Sequence, residues 1–503
     1  MAQKVLLVLL DGWGYREEKD HNALALAHTP YFDYLWKTYP HSILQASGES
    51  LGLPAGQAGG SEVGHLAIGA GRPIPTDIVR INRAISNGEM SSNPAFLNVC
   101  DHVLKHNSNL HIFGLLGPAG IHAHKDHMIA VLETIKDQGI KKVYIHAFTD
   151  GRDTAPNASM SYLEELEEEI QRIGVGFVAT VSGRYYAMDR DNNWDRLEKV
   201  EKAIFQGDAK HRTKEKPSKF LQQFYDIGLS DEHIEPIVFT NDQGESYQIS
   251  PNDGIIHTNF RADRCRMISA KIIEKKSQEN FCYVTMTEYD ESFDCLVAFP
   301  PEKIDKCLAR VISENQLSQF HTAETEKYAH ATYFLNGGIE APFPGEERVL
   351  IKSRTDIKIP DEAPELKAPE VTKATIKSLK EGKNFVFVNY ANPDLVGHTA
   401  NVKAITTAVE TVDREIKKLC QTATREGYDI IITSDHGNIE INFDVATGQK
   451  HTGHTENPVP FILLDKKRSL KDFGSLIDVA PTVLELMSIQ KPTEMTGSSL
   501  LVN

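Results

Sequence analysis

The chain has 503 residues, which suggests two or three domains, and an apolar content of 40% can fill a large core. A net charge of −16 argues against a nucleic-acid surface, which needs dense Lys and Arg, so any anion site must bring its own cluster of cations. The six cysteines lack C-x-x-C spacing and read as thiols of a reducing compartment, the apolar N-terminal run stops at Asp11, and no run could span a bilayer, so a soluble, cytoplasmic protein is expected.

Short apolar runs alternate with amphipathic stretches, the pattern of an α/β protein. The first run, KVLLVLL, ends at Asp11. Next comes GGSEVGHLAIGAGR, residues 59–72, in which Ser61 sits among glycines. It is not a nucleophile elbow, because Val63 stands where a glycine is needed, and it is not a P-loop, because no Lys precedes the serine. The residues after Ser61 read as the first turn of a helix, whose N-terminal amides favour anions. Gly59, Gly60 and Gly64 would let backbone approach a phosphoryl group closely. A plainer reading is a Gly-rich turn in which Ser61 caps the helix and Glu62 sits in its first turn.

In the middle of the chain, apolar runs end in cations. HIFGLLGPAGIHAHKDH carries His122, His124 and His127. KVYIHAFTDGRDTAP carries Arg152 and Asp153, VGFVATVSGRYYAMDRD carries Arg184 and Arg190, and GIIHTNFRADRCRM carries Arg261, Arg264 and Arg266. Arginine suits bidentate contact with carboxylate and phosphate, so an acidic chain that groups arginines after strands is building an anion pocket. His122 reads as a substrate or acid–base residue, while His124 and His127 stay unassigned.

The last third returns to strands that end in metal-type residues. NFVFVNYANPDLVGH leads to Asp394 and His398, YDIIITSDHGN to Asp435 and His436, and KHTGHTENPVP contributes His454 and a candidate in His451. Continuous apolar runs suit strands buried on both faces of a mostly parallel sheet, and ligands gather beyond the carboxyl ends of such strands. That geometry puts Asp11 on the same edge as Asp435. Asp at a strand end is also an ordinary turn residue. The joint pattern of D-x-x-x-H, D-H-G-N and H-T-x-H-T favours metal ligation by carboxylate and imidazole, which suits Mn²⁺ or Zn²⁺ better than Ca²⁺. So many ligands point to two metals, as in phosphoryl-transfer enzymes, and a nearby cation would activate the Ser61 hydroxyl.

Taken together, GESLGLPAGQAGGSEVGHLAIGAGR, HAFTDGRDTAP, GRYYAMDRD, NFRADR, KYAHATYFLNGG, VNYANPDLVGH, DHGN and HTGHTENPVP closely resemble the cofactor-independent phosphoglycerate mutases of the alkaline phosphatase superfamily. The resemblance runs in order over nearly the whole chain. It implies two α/β domains: a discontinuous phosphatase-like metal domain at 1–75 and 305–503, and an inserted transferase domain at 76–304. It implies two Mn²⁺ ions, with other divalent metals possible. One would be held by Asp394, His398 and His454, the other by Asp11, Asp435 and His436 with Ser61. The substrate would meet His122, Arg152, Asp153, Arg184, Arg190, Arg261, Arg264 and Lys327.

The implied reaction interconverts 3-phosphoglycerate and 2-phosphoglycerate without bisphosphoglycerate, through a phosphoserine at Ser61. Asp153 and His122 are the candidate general base and acid, and Lys327 stabilises charge on the transferring group. A monomer acting on a small molecule, with no nucleic-acid or membrane partner, is expected. Two departures stand out. Gly60 replaces the Asn of the usual G-N-S-E-V-G-H, and GPAGIHAH at 117–124 replaces the usual S-D-G-G-V-H-S-H. Two other readings remain: a metal-dependent phosphohydrolase or other phosphomutase of the superfamily, and a catalytically inactive phosphate-binding protein.

Overall fold

The computed structural model describes residues 3–502. The chain forms two compact units, one of Met1–Thr76 with Lys303–Asn503 and the other of Asp77–Glu302. Each is built on an eight-stranded sheet.

In the first unit the sheet order is Glu346–Ile351, Gln319–Glu324, Phe385–Tyr390, Lys4–Leu10, Tyr428–Thr433, Val459–Leu463, His41–Gln45 and Phe473–Ser475. The first five strands are parallel, with Leu7 opposite Phe387 on one side and Ile431 on the other. Lys4–Leu10 shows why the sequence reads as an unbroken apolar run. Successive side chains of a strand point to opposite faces. Here Val5, Leu7 and Leu9 enter the core packed by the helices Ser61–Ala70 and Val479–Leu486. Leu6, Val8 and Leu10 enter the core on the other face, under Ala368–Glu381 and Val402–Arg425. A strand covered on both faces has no position for a polar residue until it ends, and Asp11 is where this one ends.

The second unit repeats the principle with its own cores. Its sheet runs Leu296–Phe299, Cys282–Thr287, Gly254–His257, Leu110–Leu115, Val143–Thr149, Phe177–Gly183, Ile237–Phe239 and His211–Thr213. The first six are parallel, so the loops after Leu115, Thr149, Gly183 and His257 all open on one edge. Among the described residues no helix is long and apolar enough to cross a membrane.

Candidate active site

The carboxyl edge of the first sheet collects the expected ligands. Asp11 follows Lys4–Leu10 directly, and Asp435 and His436 follow Tyr428–Thr433. Phe385–Tyr390 runs into the short helix Asn392–Gly397, which carries Asp394 with His398 one turn later. His454 precedes Val459–Leu463, which is antiparallel and so starts at the same edge. Two clusters result, Asp394 with His398 and His454, and Asp11 with Asp435 and His436, each with ligand atoms within 4.8 Å of one another. His451 belongs to neither.

Ser61 is the first residue of Ser61–Ala70, and Gly60 is the N-cap, so the reading of Ser61 as the cap is corrected. Its hydroxyl turns to the clusters instead, lying 3.1 Å from Asp11 Oδ1 and 3.0 Å from His436 Nε2. The expectation for two of the glycines also changes. A Cβ on Gly59 would meet the Ala46 carbonyl oxygen at 2.0 Å, and one on Gly64 the Asp435 carbonyl oxygen at 2.6 Å. These glycines let the serine-bearing segment pack against neighbouring backbone; they do not clear a path for a phosphoryl group. Gly60 has φ −167°, extended backbone that any residue adopts, and a Cβ there would stand 3.2 Å from His454 Nδ1.

Lys327, on the helix Thr325–Ala329, reaches into this cluster. Its Nζ donates to Ser61 Oγ at 2.6 Å, Asp11 Oδ1 at 2.7 Å and Asp394 Oδ2 at 2.6 Å. Burial opposes its charge, but Asp11, Asp394 and Asp435 outweigh that and raise its pKa further. Burial would likewise raise Asp11, yet Lys327 and His436 hold its carboxyl below the usual range. His436 is buried too, but Asp435, Asp11 and Asp394 pull it up to about 9.

The donor set fits divalent cations. Each of the three histidines donates from Nδ1 to a backbone carbonyl: His398 to Thr452 at 2.8 Å, His436 to Gly437 at 3.2 Å and His454 to Gly59 at 3.0 Å. Nε2 is then the nitrogen left for a cation, which would displace the proton that the surrounding carboxylates favour on His436; in both His398 and His454 it lies 3.3 Å from Asp394 Oδ1. Fixing the tautomer from behind is how proteins orient metal-binding imidazoles. Asp435 Oδ2 and His454 Nε2 are buried without a hydrogen-bond partner. Three buried carboxylates face one ammonium and the His436 imidazolium, still a negative excess that cations would relieve.

Several supporting residues escaped the sequence reading. Asn438 donates to Asp394 Oδ1 at 2.8 Å. Glu440 is fully buried; its carboxylate accepts from Asn438 N at 2.9 Å, Asn457 Nδ2 at 3.0 Å and Thr455 Oγ1. It ties the loop carrying His436 to the loop carrying His454. A Cβ on Gly14 would strike that carboxylate at 2.2 Å, which explains the glycine.

The second unit gathers the expected cations. Arg184, 2% exposed, spans Asp150 Oδ1 and Asp153 Oδ2, both at 2.6 Å. Arg190 and Arg261 share Asp263, at 2.8 and 3.1 Å. Arg264 donates to the Met188 carbonyl at 3.1 Å, and burial with the charges of Arg184, Arg190 and Arg152 lowers its pKa, the mark of crowded guanidinium groups. Arg152, more exposed, lies 3.7 Å from Glu232. His122 is buried between Asp153 Oδ2 at 3.8 Å and Asp263 Oδ1 at 3.7 Å. Burial and the neighbouring Arg184 push it down to about 4. Burial would raise Asp153, but its bond to Arg184 keeps it below the usual carboxylate range. Both groups therefore stand in their proton-accepting forms at neutral pH. Asp150 and Asp263 were not singled out from sequence, although each lies next to a residue that was. His124 caps Lys125–Asp137, and His127 is buried with Nε2 bonded to Asn82 Oδ1 at 2.8 Å, so both have structural partners. Lys327 belongs to the first unit, where it bonds Ser61, and is not one of the cations of this unit.

Comparison with known proteins agrees in both units. Residues 81–291 match the family described as BPG-independent PGAM N-terminus, and residues 280–478 match type I phosphodiesterase / nucleotide pyrophosphatase. Proteins named 2,3-bisphosphoglycerate-independent phosphoglycerate mutase in Trichodesmium erythraeum and Nostoc punctiforme are each 44% identical, over 99% of this chain and 95% of theirs. That of Thermosynechococcus vestitus is 44% identical over 99% of this chain and 96% of its own. A crystal structure of Leishmania mexicana phosphoglycerate mutase at low cobalt concentration superposes with a TM-score of 0.63 at 27% identity, covering 100% of this chain and 98% of that one.

Proposed function

We propose residue roles from one premise: the chain belongs to the 2,3-bisphosphoglycerate-independent phosphoglycerate mutases, metal-dependent isomerases. The reaction it catalyses interconverts 3-phosphoglycerate and 2-phosphoglycerate, a step of glycolysis and gluconeogenesis. The single observation that supports the covalent route is the placement of Ser61 Oγ within hydrogen-bond reach of Asp11, His436 and Lys327 at once.

Ser61 Oγ, ionised after its proton has left to solvent, attacks the phosphorus of the bound ester. The bond from phosphorus to the glycerate oxygen breaks, leaving a phosphoserine and a glycerate with two free hydroxyls. Lys327 donates to Ser61 Oγ and so favours the ionised oxygen and the charge on the transferring group. Asp394, His398 and His454 would hold one divalent cation, and Asp11, Asp435 and His436 with Ser61 a second. Two Mn²⁺ ions are the reading favoured by the mixed carboxylate and imidazole donors. Such ions supply electrostatic stabilisation of phosphoryl oxygens and acidify the hydroxyl.

In the second unit, Arg152, Arg190, Arg261 and Arg264 grip the carboxylate and phosphate of the substrate, with Arg184 ordering Asp153. The Asp153–His122 pair takes up one proton with the substrate and gives it to the departing glycerate oxygen; unprotonated again, it takes a proton from the other hydroxyl as that oxygen attacks the phosphoserine. Holding glycerate until its other hydroxyl takes the phosphoryl group distinguishes a mutase from a phosphatase. A monomer in the cytoplasm fits a small-molecule substrate and six unpaired cysteines.

The test is Ser61→Ala. The variant should bind metal and lose turnover, and wild type quenched with 3-phosphoglycerate should carry phosphate on Ser61. Product analysis separates the alternatives: 2-phosphoglycerate supports the mutase, free phosphate alone the phosphohydrolase, and no turnover the inactive binder.

A further inference from the structure

His65 lies one helical turn after Ser61 and is fully buried. Its Nδ1 sits 2.8 Å from the Ser61 carbonyl oxygen and 3.2 Å from Asp435 Oδ2. Its Nε2 sits 3.0 Å from Asn389 Nδ2, and that same amide nitrogen lies 2.7 Å from Asp11 Oδ2. The hydrogen-bond chemistry orders this chain in one direction. Carboxylate oxygens only accept, so Asn389 must turn its amide nitrogen toward Asp11. Its second hydrogen then points to His65 Nε2, which must accept. The ring proton therefore sits on Nδ1 and is donated to the serine carbonyl. Flipping the amide would set Oδ1 against Asp11 Oδ2, acceptor against acceptor. The observed orientation leaves Asn389 Oδ1 buried without a partner, so the donors, not the carbonyl, decide how this amide sits.

We propose that His65 and Asn389 are positioning residues. Together they fix the backbone of the nucleophile Ser61 and the plane of the Asp11 carboxylate in one network. With Asp11 Oδ2 taken by Asn389, Oδ1 is held toward Ser61 Oγ at 3.1 Å and Lys327 Nζ at 2.7 Å. A carboxylate free to turn would trade that oxygen away from the serine. Both residues belong to the first unit and the arginine cluster to the second, so the network is expected to bear on catalysis and cation binding more than on the grip on glycerate.

The inference rests on the reading of Ser61 as nucleophile and of Asp11 as a cation ligand. Its test has two variants. In His65→Asn a short amide can still donate to the Ser61 carbonyl but no longer reaches Asn389. In Asn389→Leu both donors go while the volume stays. Each folded variant, checked by circular dichroism, should lose kcat by roughly 10–100-fold, the range for residues that orient metal ligands, with KM for 3-phosphoglycerate nearly unchanged. Mn²⁺ titrated calorimetrically into metal-stripped protein should bind about 10-fold more weakly in each. The double variant should be no worse than the worse single one, because the two residues act through one network. Wild-type kcat and Mn²⁺ affinity in either folded variant would overturn the proposal, and so would losses that multiply in the double variant. The Mn²⁺ titration does not depend on the reaction. Weakened Mn²⁺ binding in variants of a protein that never forms phosphoserine would sink the covalent route and leave the positioning role standing.

Discussion

Lys327 Nζ donates to Ser61 Oγ across 2.6 Å, from the helix Thr325–Ala329 to the first residue of the helix Ser61–Ala70. The ammonium also bonds Asp11 and Asp394, so one residue links the nucleophile to a carboxylate of each ligand cluster. A buried cation on the attacking oxygen lowers the cost of ionising it, and it gives its full effect only when negative charge develops there. Lys327→Met should therefore cost kcat about 10²–10³-fold, the size of losing one preorganised donor. KM should move much less. Wild-type kcat in this variant would show that the ammonium serves only to hold the carboxylates.

The arginines of the second unit should divide into two kinds. Arg184 is buried against Asp150 and Asp153, so Arg184→Ala strands two carboxylates and should destabilise the fold by about 3–5 kcal/mol. Arg261 is half exposed, and removing it leaves Asp263 paired with Arg190. Arg261→Ala should keep its melting temperature, raise KM and release more free phosphate per turnover. Equal melting behaviour in the two variants, or unchanged KM in the second, would contradict this division.

How much of this was readable in advance follows from where the information sits. Asp11, Asp435 and the arginines could be read because a strand covered on both faces must stay apolar until it ends, and parallel strands end on one edge. Lys327 could not be read that way. It stands alone in its segment and meets Ser61 across 266 residues, so only the resemblance pointed to it. His65, Asn389 and Glu440 lay inside or beside quoted motifs, yet their roles are hydrogen bonds to partners chosen by the fold. Gly59 and Gly64 were misread for the same reason. A glycine announces close approach but does not say to what, and here it is Ala46 and Asp435 backbone, not a substrate.

Stripping the metal should act on stability as well as on activity. The two ligand clusters bury three carboxylates against one ammonium and one imidazolium, and cations that bind only the folded chain add stability in proportion to the logarithm of their concentration. A chelator should abolish turnover and lower the melting temperature, and added Mn²⁺ should restore both. Asp394→Asn should need less Mn²⁺ for stability but regain little activity. A melting temperature indifferent to chelator and to Mn²⁺ would count against the cation sites.

The second unit should become less stable as the pH falls below neutrality, for a reason separate from the metal clusters. Burial pushes His257 down to about 3 and His127 down to about 4; burial with Arg184 does the same to His122. An unfolded histidine titrates near pH ~6.5. Above that value neither state takes up a proton and these groups contribute nothing. Between about 6.5 and 4 the unfolded chain binds protons that the folded chain refuses, so stability is lost as pH falls through this window, at roughly 1.4 kcal/mol per pH unit for each such group. His257 isolates the effect. It is fully buried among Phe113, Phe148 and Tyr289, its Nε2 has no hydrogen-bond partner, and its Nδ1 meets only the Tyr283 hydroxyl at 3.4 Å. A ring that cannot be protonated fits the same space. His257→Phe should therefore lose less stability than wild type between pH 7 and pH 5, by about 1–2 kcal/mol, in urea unfolding followed at each pH with metal held in excess. Parallel pH profiles for variant and wild type would show that this buried imidazole is not what acid acts on.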